Sequence, residues 1–269
     1  MSIRASGSYI GPRPNGPNTD VASGIWDLRA AARQQGLAAW PVRDPYFSSV
    51  VLLLHGDGNL TDSSSVGSTV TAYGNAAATG SAKFGTASVA FDGNGDYLTI
   101  PYSTAFDFSG DFALEAWVWF SANPGSYAGA YGAAIMSRYS GAGTPANPGW
   151  QLRINGTSSG YDTINLYTGV TDLNWSASFS LNTWHFVAVA RSGSSIRAYV
   201  DGSQVGSTQT CSDNLTRSVT NSLSIGRLDD ATYQFYLNGL LDEVRITKGS
   251  SRGYTGSSIA VPAAAFPNQ

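Results

Sequence analysis

From residue 44 onward the chain alternates between apolar and polar positions. In "DFALEAWVWF", Phe112, Leu114, Ala116, Val118 and Phe120 fall on one side and Glu115, Trp117 and Trp119 on the other. That is the period of two a strand imposes on its side chains. "TWHFVAVAR" sorts the same way, with Trp184, Phe186 and Ala188 against His185, Val187 and Val189. "SIRAYVDGSQVG" follows directly, and Asp201-Gly202 within it predicts a tight hairpin, because both central turn positions need positive φ. Further runs predict strands over 50–54, 87–91, 96–100, 132–138, 150–155, 161–168, 223–227 and 235–247. About a dozen short strands separated by turns predict an all-β, two-sheet antiparallel sandwich.

The first 43 residues read differently. Pro12, Pro14 and Pro17, interleaved with Gly11 and Gly16, exclude a helix or a central strand and predict an extended arm over 1–22. "SGIWDLRAAARQQGLAAWP" predicts one short helix, with Ser23 as cap, Asp27 in the first turn, and Gly36 and Pro41 as stops. Tyr9, Ile10, Trp26, Leu28, Leu37 and Trp40 are too apolar to stay uncovered. They predict that 1–43 anchors the chain to a partner or to other copies, with 44–269 as the sandwich. The alternative is that Trp26 and Trp40 pack on the outside of the sandwich.

Composition narrows the function classes. Only 12% of the 269 residues are charged and 31 are glycine. The charged fraction is about half the ordinary one, which suits short strands and many turns. A net charge of −3 offers no footprint for nucleic acid. The longest apolar run, Val50 to Leu54, is far short of a membrane span. The N-terminus has no apolar core of a signal peptide, so synthesis in the cytoplasm is expected. Cys211 stands alone and is expected as a small buried hydrophobe rather than a disulfide partner.

"ASVAFDGNGDYLTIP" (87–101), "DFALEAWVWF", "NTWHFVAVARSGSSIRAYVDGSQVG" and "YLNGLLDEVRI" occur in that order. Together they resemble the laminin-G-like, concanavalin A-like jelly-roll family. "DPYFSSVVLLLHGDGN" (44–59), coming after a short helix, is most similar to the form found in bacteriophage virion proteins. The resemblance implies a jelly roll displayed on a virion as a capsid or tail decoration. It also implies other virion proteins and further copies of the chain as partners, and host polysaccharide as a ligand. A free bacterial carbohydrate-binding module or lectin is the rival reading. The family also implies one structural calcium ion, at the positions matching Asp57 in "HGDGN" and Asp242 in "LLDEV". The alternative places Asp57 and Asp62 in Asx-turns and has Asp242 pair with Arg245 or cap a turn.

Enzyme chemistry is not expected. A glycosidase needs two carboxylates facing one bond, and the chain has only two glutamates, Glu115 and Glu243, on different strands. Strict alternation would point the neighbours Asp242 and Glu243 to opposite faces. No nucleophile-elbow pattern accompanies His55, His185 and the many serines. For sugar binding, the zone 123–175 offers the rings of Tyr131, Trp150, Tyr161 and Trp175, with Tyr127, Tyr167, Asn147, Asn155, Asp162 and Asn174 nearby. Core packing is the competing role for those rings.

Overall fold

The computed structural model describes residues 43–127, 129–139, 149–216, 221–228 and 234–269. The chain divides into two compact units, Met1–Pro45 with Pro267–Gln269, and Tyr46–Phe266. In the first, the Asp44 N–H donates to the Gln269 carbonyl at 2.7 Å. The expected arm and helix, with Tyr9, Ile10, Trp26, Leu28, Leu37 and Trp40, lie outside the described residues.

In chain order the strands of the second unit are β1 (Val50–Leu54), β2 (Thr71–Tyr73), β3 (Ala77–Thr79), β4 (Ser88–Asp92), β5 (Tyr97–Ile100), β6 (Phe112–Phe120), β7 (Ser126–Tyr127) and β8 (Ala130–Ser137). They continue with β9 (Gln151–Thr157), β10 (Gly160–Tyr167), β11 (Asp172–Phe179), β12 (Trp184–Ser192), β13 (Ser195–Val200), β14 (Ser203–Thr210), β15 (Leu223–Ile225) and β16 (Asn238–Lys248). Sheet A runs β14-β13-β12-β6-β16-β4-β3, with β1 also on β16. Sheet B runs β11-β10-β9-β8-β15-β5-β2, with β7 on β8. Every pairing is antiparallel. The result is the expected jelly-roll sandwich.

The predicted alternation decides which side chains enter the core. Phe112, Leu114, Ala116, Val118 and Phe120 of β6 and Val187 and Val189 of β12 meet Ile135, Leu152, Ile164 and Leu166 of sheet B. Asp201 and Gly202 take φ of 48° and 84° and close the β13–β14 hairpin at the expected place. Cys211 is buried. Strand β11 was missed by the sequence pattern, although Leu173, Trp175 and Phe179 point inward between Asp172, Asn174 and Ser176. Its polar side is so rich in Asn and Ser that it reads as loop. Strands β2 and β3, three residues each, carry no signal long enough to read.

Strand β16 departs from strict alternation. Leu241, Val244 and Ile246 all enter the core, so one extra residue sits between Leu241 and Val244. The register against β6 shifts between Asp242 and Arg245, and Glu243 holds φ at 51°. This is a β-bulge. It corrects the expectation of opposite faces, because Asp242 and Glu243 both leave the core for the outward side of sheet A.

That outward side carries its own buried layer. Val50, Leu53, Trp117, Phe186, Ala188, Tyr199 and Phe266 form a second apolar cluster, with Phe47, Phe84, Tyr254 and Ile259 against it. Charges are embedded in it. Arg245 donates from Nε and Nη2 to the two oxygens of Glu115, each at 2.8 Å, and the Tyr254 hydroxyl donates to Glu115 Oε1 at 2.7 Å. Glu243 Oε1 lies 2.8 Å from His55 Nδ1, and Oε2 accepts the Phe266 N–H at 2.7 Å. Glu115 is fully buried. Glu115→Gln should therefore destabilise the fold by about 3 kcal/mol, since it leaves a buried guanidinium without its counter-charge. Urea unfolding of the variant against wild type measures this, and a change under 1 kcal/mol (roughly the worth of an exposed pair) would contradict the assignment.

Candidate ligand face

Sheet B turns its polar alternate positions away from the core, but that side is partly covered. Ala134, Leu228 and Phe235 form a buried cluster on it, with Tyr139 against them, and Asn165, Ser137 and Ser224 are fully buried. Cα pairing aligns Asn174, Asn165, Arg153 and Ala134 in one row. It aligns Asp172, Tyr167, Gln151, Ser137, Ser224 and Thr99 in the next. The first row is wired together. Arg153 Nε donates to Asn165 Oδ1 at 2.9 Å, and Asn165 Nδ2 donates to Asn174 Oδ1 at 2.9 Å and to Asp172 Oδ1.

The second row is unfinished. Ser137 Oγ accepts the Tyr139 N–H at 3.1 Å. On either side of it, Gln151 Oε1 and Ser224 Oγ are buried with no hydrogen-bond partner among the described residues. An unmet buried polar atom costs about 1–3 kcal/mol, so a water or a neighbouring segment is expected to complete these two buried groups. Aromatic rings stand at both ends of the row. Tyr139 and Tyr167 meet edge-on at 5.7 Å. At the other end Tyr73 stacks on Tyr97 at 4.6 Å, with the Arg227 guanidinium 3.6 Å from the Tyr97 ring centre.

Of the residues expected to bind sugar, three belong to the core instead. Trp150 is fully buried and Trp175 nearly so, and their indole N–H groups donate to the carbonyls of Phe106 and Ser207, each at 3.0 Å. Tyr161 is buried against Phe120, their ring centres 3.9 Å apart, and burial pushes its phenol above the ordinary range. A ring with no exposed face offers no stacking surface. Tyr131 is half-buried at one end of β8, and of the neighbours named with them Tyr167 and Asn174 do lie on the outward face. The residues missed, Gln151, Arg153 and Asn165, sit at the alternate positions of β9 and β10. That alternation was the signal that could have found them.

Asp57 and Asp242 share one loop. Asp242 Oδ2 accepts the N–H groups of Lys83 and Phe84 at 2.7 and 3.1 Å, and Asp57 Oδ1 accepts those of Thr86 and Ala87 at 2.6 and 3.3 Å. Among the described residues no three His, Cys, Asp or Glu side chains gather as a metal site. Both carboxylates thus anchor the loop through its peptide N–H groups, while Asp242 Oδ1 is buried with no hydrogen-bond partner among the described residues. Asp62 makes an Asx-turn to the Ser64 N–H at 2.9 Å. Arg245 pairs with Glu115 rather than with Asp242. His185 Nδ1 lies 2.8 Å from Asp201 Oδ2, and its Nε2 accepts the Ser180 N–H at 3.1 Å, so that nitrogen faces a peptide group and not a serine hydroxyl.

The two antiparallel sheets define a concanavalin A-like jelly roll. The family model described as the concanavalin A-like lectin/glucanases superfamily, of laminin-G type, matches residues 91–251, and the chain belongs to that family. Among solved structures it is similar to the receptor-binding domain of botulinum neurotoxin C/D mosaic serotype, at 15% identity and TM-score 0.53, covering 77% of this chain and 49% of that one. The binding domain of Paraclostridial Mosquitocidal Protein 1 is similar at 10% identity and TM-score 0.53, covering 75% and 49%. The chain thus spans about half the length of these toxin domains. Domain 4 of AbnA, an extracellular arabinanase from Geobacillus stearothermophilus, solved in complex with arabinotriose, is similar at 15% identity and TM-score 0.53. There the match covers 75% of this chain and 93% of that one. At such identities the likeness carries the fold. A search of the curated proteins finds no match.

The loop anchor has a pH signature. Burial, helped by the neighbouring Glu243 charge, pushes the Asp242 carboxyl up to about 6 against the pull of the two peptide N–H groups. Between roughly pH 4 and 6 the folded chain then holds a proton that the unfolded chain has lost. The contribution of Asp242 to stability should fall across that window as pH rises. Asp242→Asn should flatten the fall while keeping an oxygen for Lys83 and Phe84. Unfolding free energies at several pH values check both statements, and equal slopes for variant and wild type would contradict them.

Proposed function

We propose that this chain is a noncatalytic, carbohydrate-binding jelly roll carried on a bacteriophage particle, with the outward face of sheet B as its sugar surface. The observation that carries the binding role is the two groups of tyrosines that keep exposure, Tyr139 with Tyr167 and Tyr73 with Tyr97, at the ends of the buried row Gln151–Ser137–Ser224. A sugar presents its C–H faces to such rings. Fold alone does not assign this activity. Two similar structures support the ligand class. One is the arabinanase domain solved with arabinotriose. The other is botulinum neurotoxin type C, whose cell entry depends on interaction with two ganglioside molecules.

The noncatalytic part is supported by where the glutamates are spent. Glu115 is saturated by Arg245 and Tyr254, Glu243 is held by His55 and Phe266, and both lie on the sheet opposite the sugar face. The virion part is supported by the resemblance over 44–59 and by the apolar side chains of 1–43. These would seat the chain on capsid or tail proteins, or on its own copies.

Binding of arabinotriose and of host-cell polysaccharide, followed by calorimetry, tests the sugar face. Gln151→Ala and Tyr167→Ala should each weaken binding about tenfold without lowering the melting temperature by more than a few degrees, as loss of a contact in a binding patch does. No reducing ends should appear during incubation. Unchanged affinity in both variants would remove sheet B as the site. A chain beginning at Asp44 should keep sugar binding and fail to enter purified phage particles. Sugar binding by a full-length chain that never copurifies with particles would favour the free lectin.

A further inference from the structure

Sheet A is not closed over its whole outward side. Cα pairing lines up Trp184, Trp119, Leu240, Ala90 and Ala77 across five strands. This row lies next to the buried row of Phe186, Trp117 and Asp242, yet all five of its side chains keep exposure. A cavity of ≈ 510 Å³ opens here, lined by Trp119, Trp184, Leu240, Ser81, Ala82 and Ser121. That volume lies within the roughly 300–1,000 Å³ of small-ligand sites. The two indoles meet edge to face, centres 5.8 Å apart. Neither indole N–H has a hydrogen-bond partner among the described residues.

None of the six lining side chains is charged. The nearby Lys83 ammonium is taken up over the Trp117 ring at 4.1 Å, in the covered row. The cavity therefore offers an apolar indole floor, a hydroxyl at Ser81, another at Ser121, and two free N–H donors. A hydrocarbon chain would leave those polar groups unmet, and an anionic ligand would find no cation in the lining. We propose that this cavity is a second carbohydrate site, taking a neutral sugar ring with its C–H face on Trp119 and Trp184 and its hydroxyls toward Ser81 and Ser121. The proposal rests on the carbohydrate-binding reading for its ligand class alone. Because the cavity and the sheet B face lie on opposite sides of the sandwich, they bind separate sugar units. One chain then bridges two glycan strands, or gains avidity on a surface that presents many.

Arabinotriose and cellotriose serve as probes on the full chain, with binding read by calorimetry and by intrinsic tryptophan emission. Trp119 and Trp184 are the half-buried tryptophans of the described residues, whereas Trp117, Trp150 and Trp175 are buried. A shift in emission that disappears in Trp119→Phe and Trp184→Phe, with Trp26 and Trp40 left in place, therefore reports on the cavity. Wild type should bind a second equivalent with such a shift. Trp119→Ala, and Ser121→Arg, which fills the cavity from an exposed position, should weaken that equivalent at least about tenfold, as truncating a central aromatic anchor does. Gln151→Ala should leave the shift in place. Wild-type binding and emission in a folded Ser121→Arg variant would overturn the cavity while leaving the sheet B reading intact. The cavity is equally overturned if neutral sugars produce no shift and Ser121→Arg instead abolishes self-association, which makes it a protein contact. Loss of all binding in Gln151→Ala alone would assign every sugar to sheet B.

Discussion

Buried charge on the two central strands of sheet A sets the terms for the rest of the molecule. Glu115 on β6 and Arg245 on β16 face each other in register with almost no solvent between them. Taking such a pair out of water is favourable only when its remaining valences are filled. The segment after β16 fills them. Tyr254 supplies a hydroxyl to Glu115, Arg252 comes within 3.4 Å of the same carboxylate, and Phe266 lays its ring 3.5 Å from the Arg245 guanidinium. A sheet that an apolar sandwich would leave bare is thereby roofed by its own chain.

The bulge at Glu243 belongs to the same device. Left-handed backbone at a glutamate costs about 1–2 kcal/mol, yet it lets Asp242 and Glu243 leave the core together. Asp242 then grips the loop at Lys83 and Phe84, and Glu243 grips the backbone of Phe266. Asp57 holds the far end of that loop. Two carboxylates that would suit a cation thus serve as acceptors for peptide N–H groups, and the loop they fix places Phe84 on Trp117 at 5.8 Å.

Roofing one sheet decides where a ligand has room. On sheet B the outward side is only partly roofed, by Leu228 and Phe235 over Ala134, and half-exposed Tyr139, Tyr167 and Tyr97 stand beside a polar grid wired along Arg153, Asn165 and Asn174. On sheet A the roof stops one row short, and Trp119, Trp184 and Leu240 stay half-exposed there. The polar grid and the indole floor are complementary ways of meeting a molecule that carries both hydroxyls and C–H faces.

Period-two alternation was enough to place β6, β12 and the β13–β14 hairpin and to sort the two faces of β6 and β12, while β1 was legible as a short apolar run. Core burial rewards one face of a strand, and that selection is written locally. The order of the motifs carried the family as well. What alternation could not carry was the rank of the aromatic residues. Trp150, Tyr161 and Trp175 look as available as Trp119 and Trp184 in sequence, and only the packing of sheet B on sheet A buried the former and spared the latter. The bulge was equally invisible, because one inserted residue leaves "LLDEVRIT" reading as an ordinary strand. The partners of Glu115, Asp242 and Glu243 come from segments 130, 159 and 23 residues away. Contacts of that kind depend on how the sheets stack and where loops land, which is a property of the folded chain and not of any local stretch.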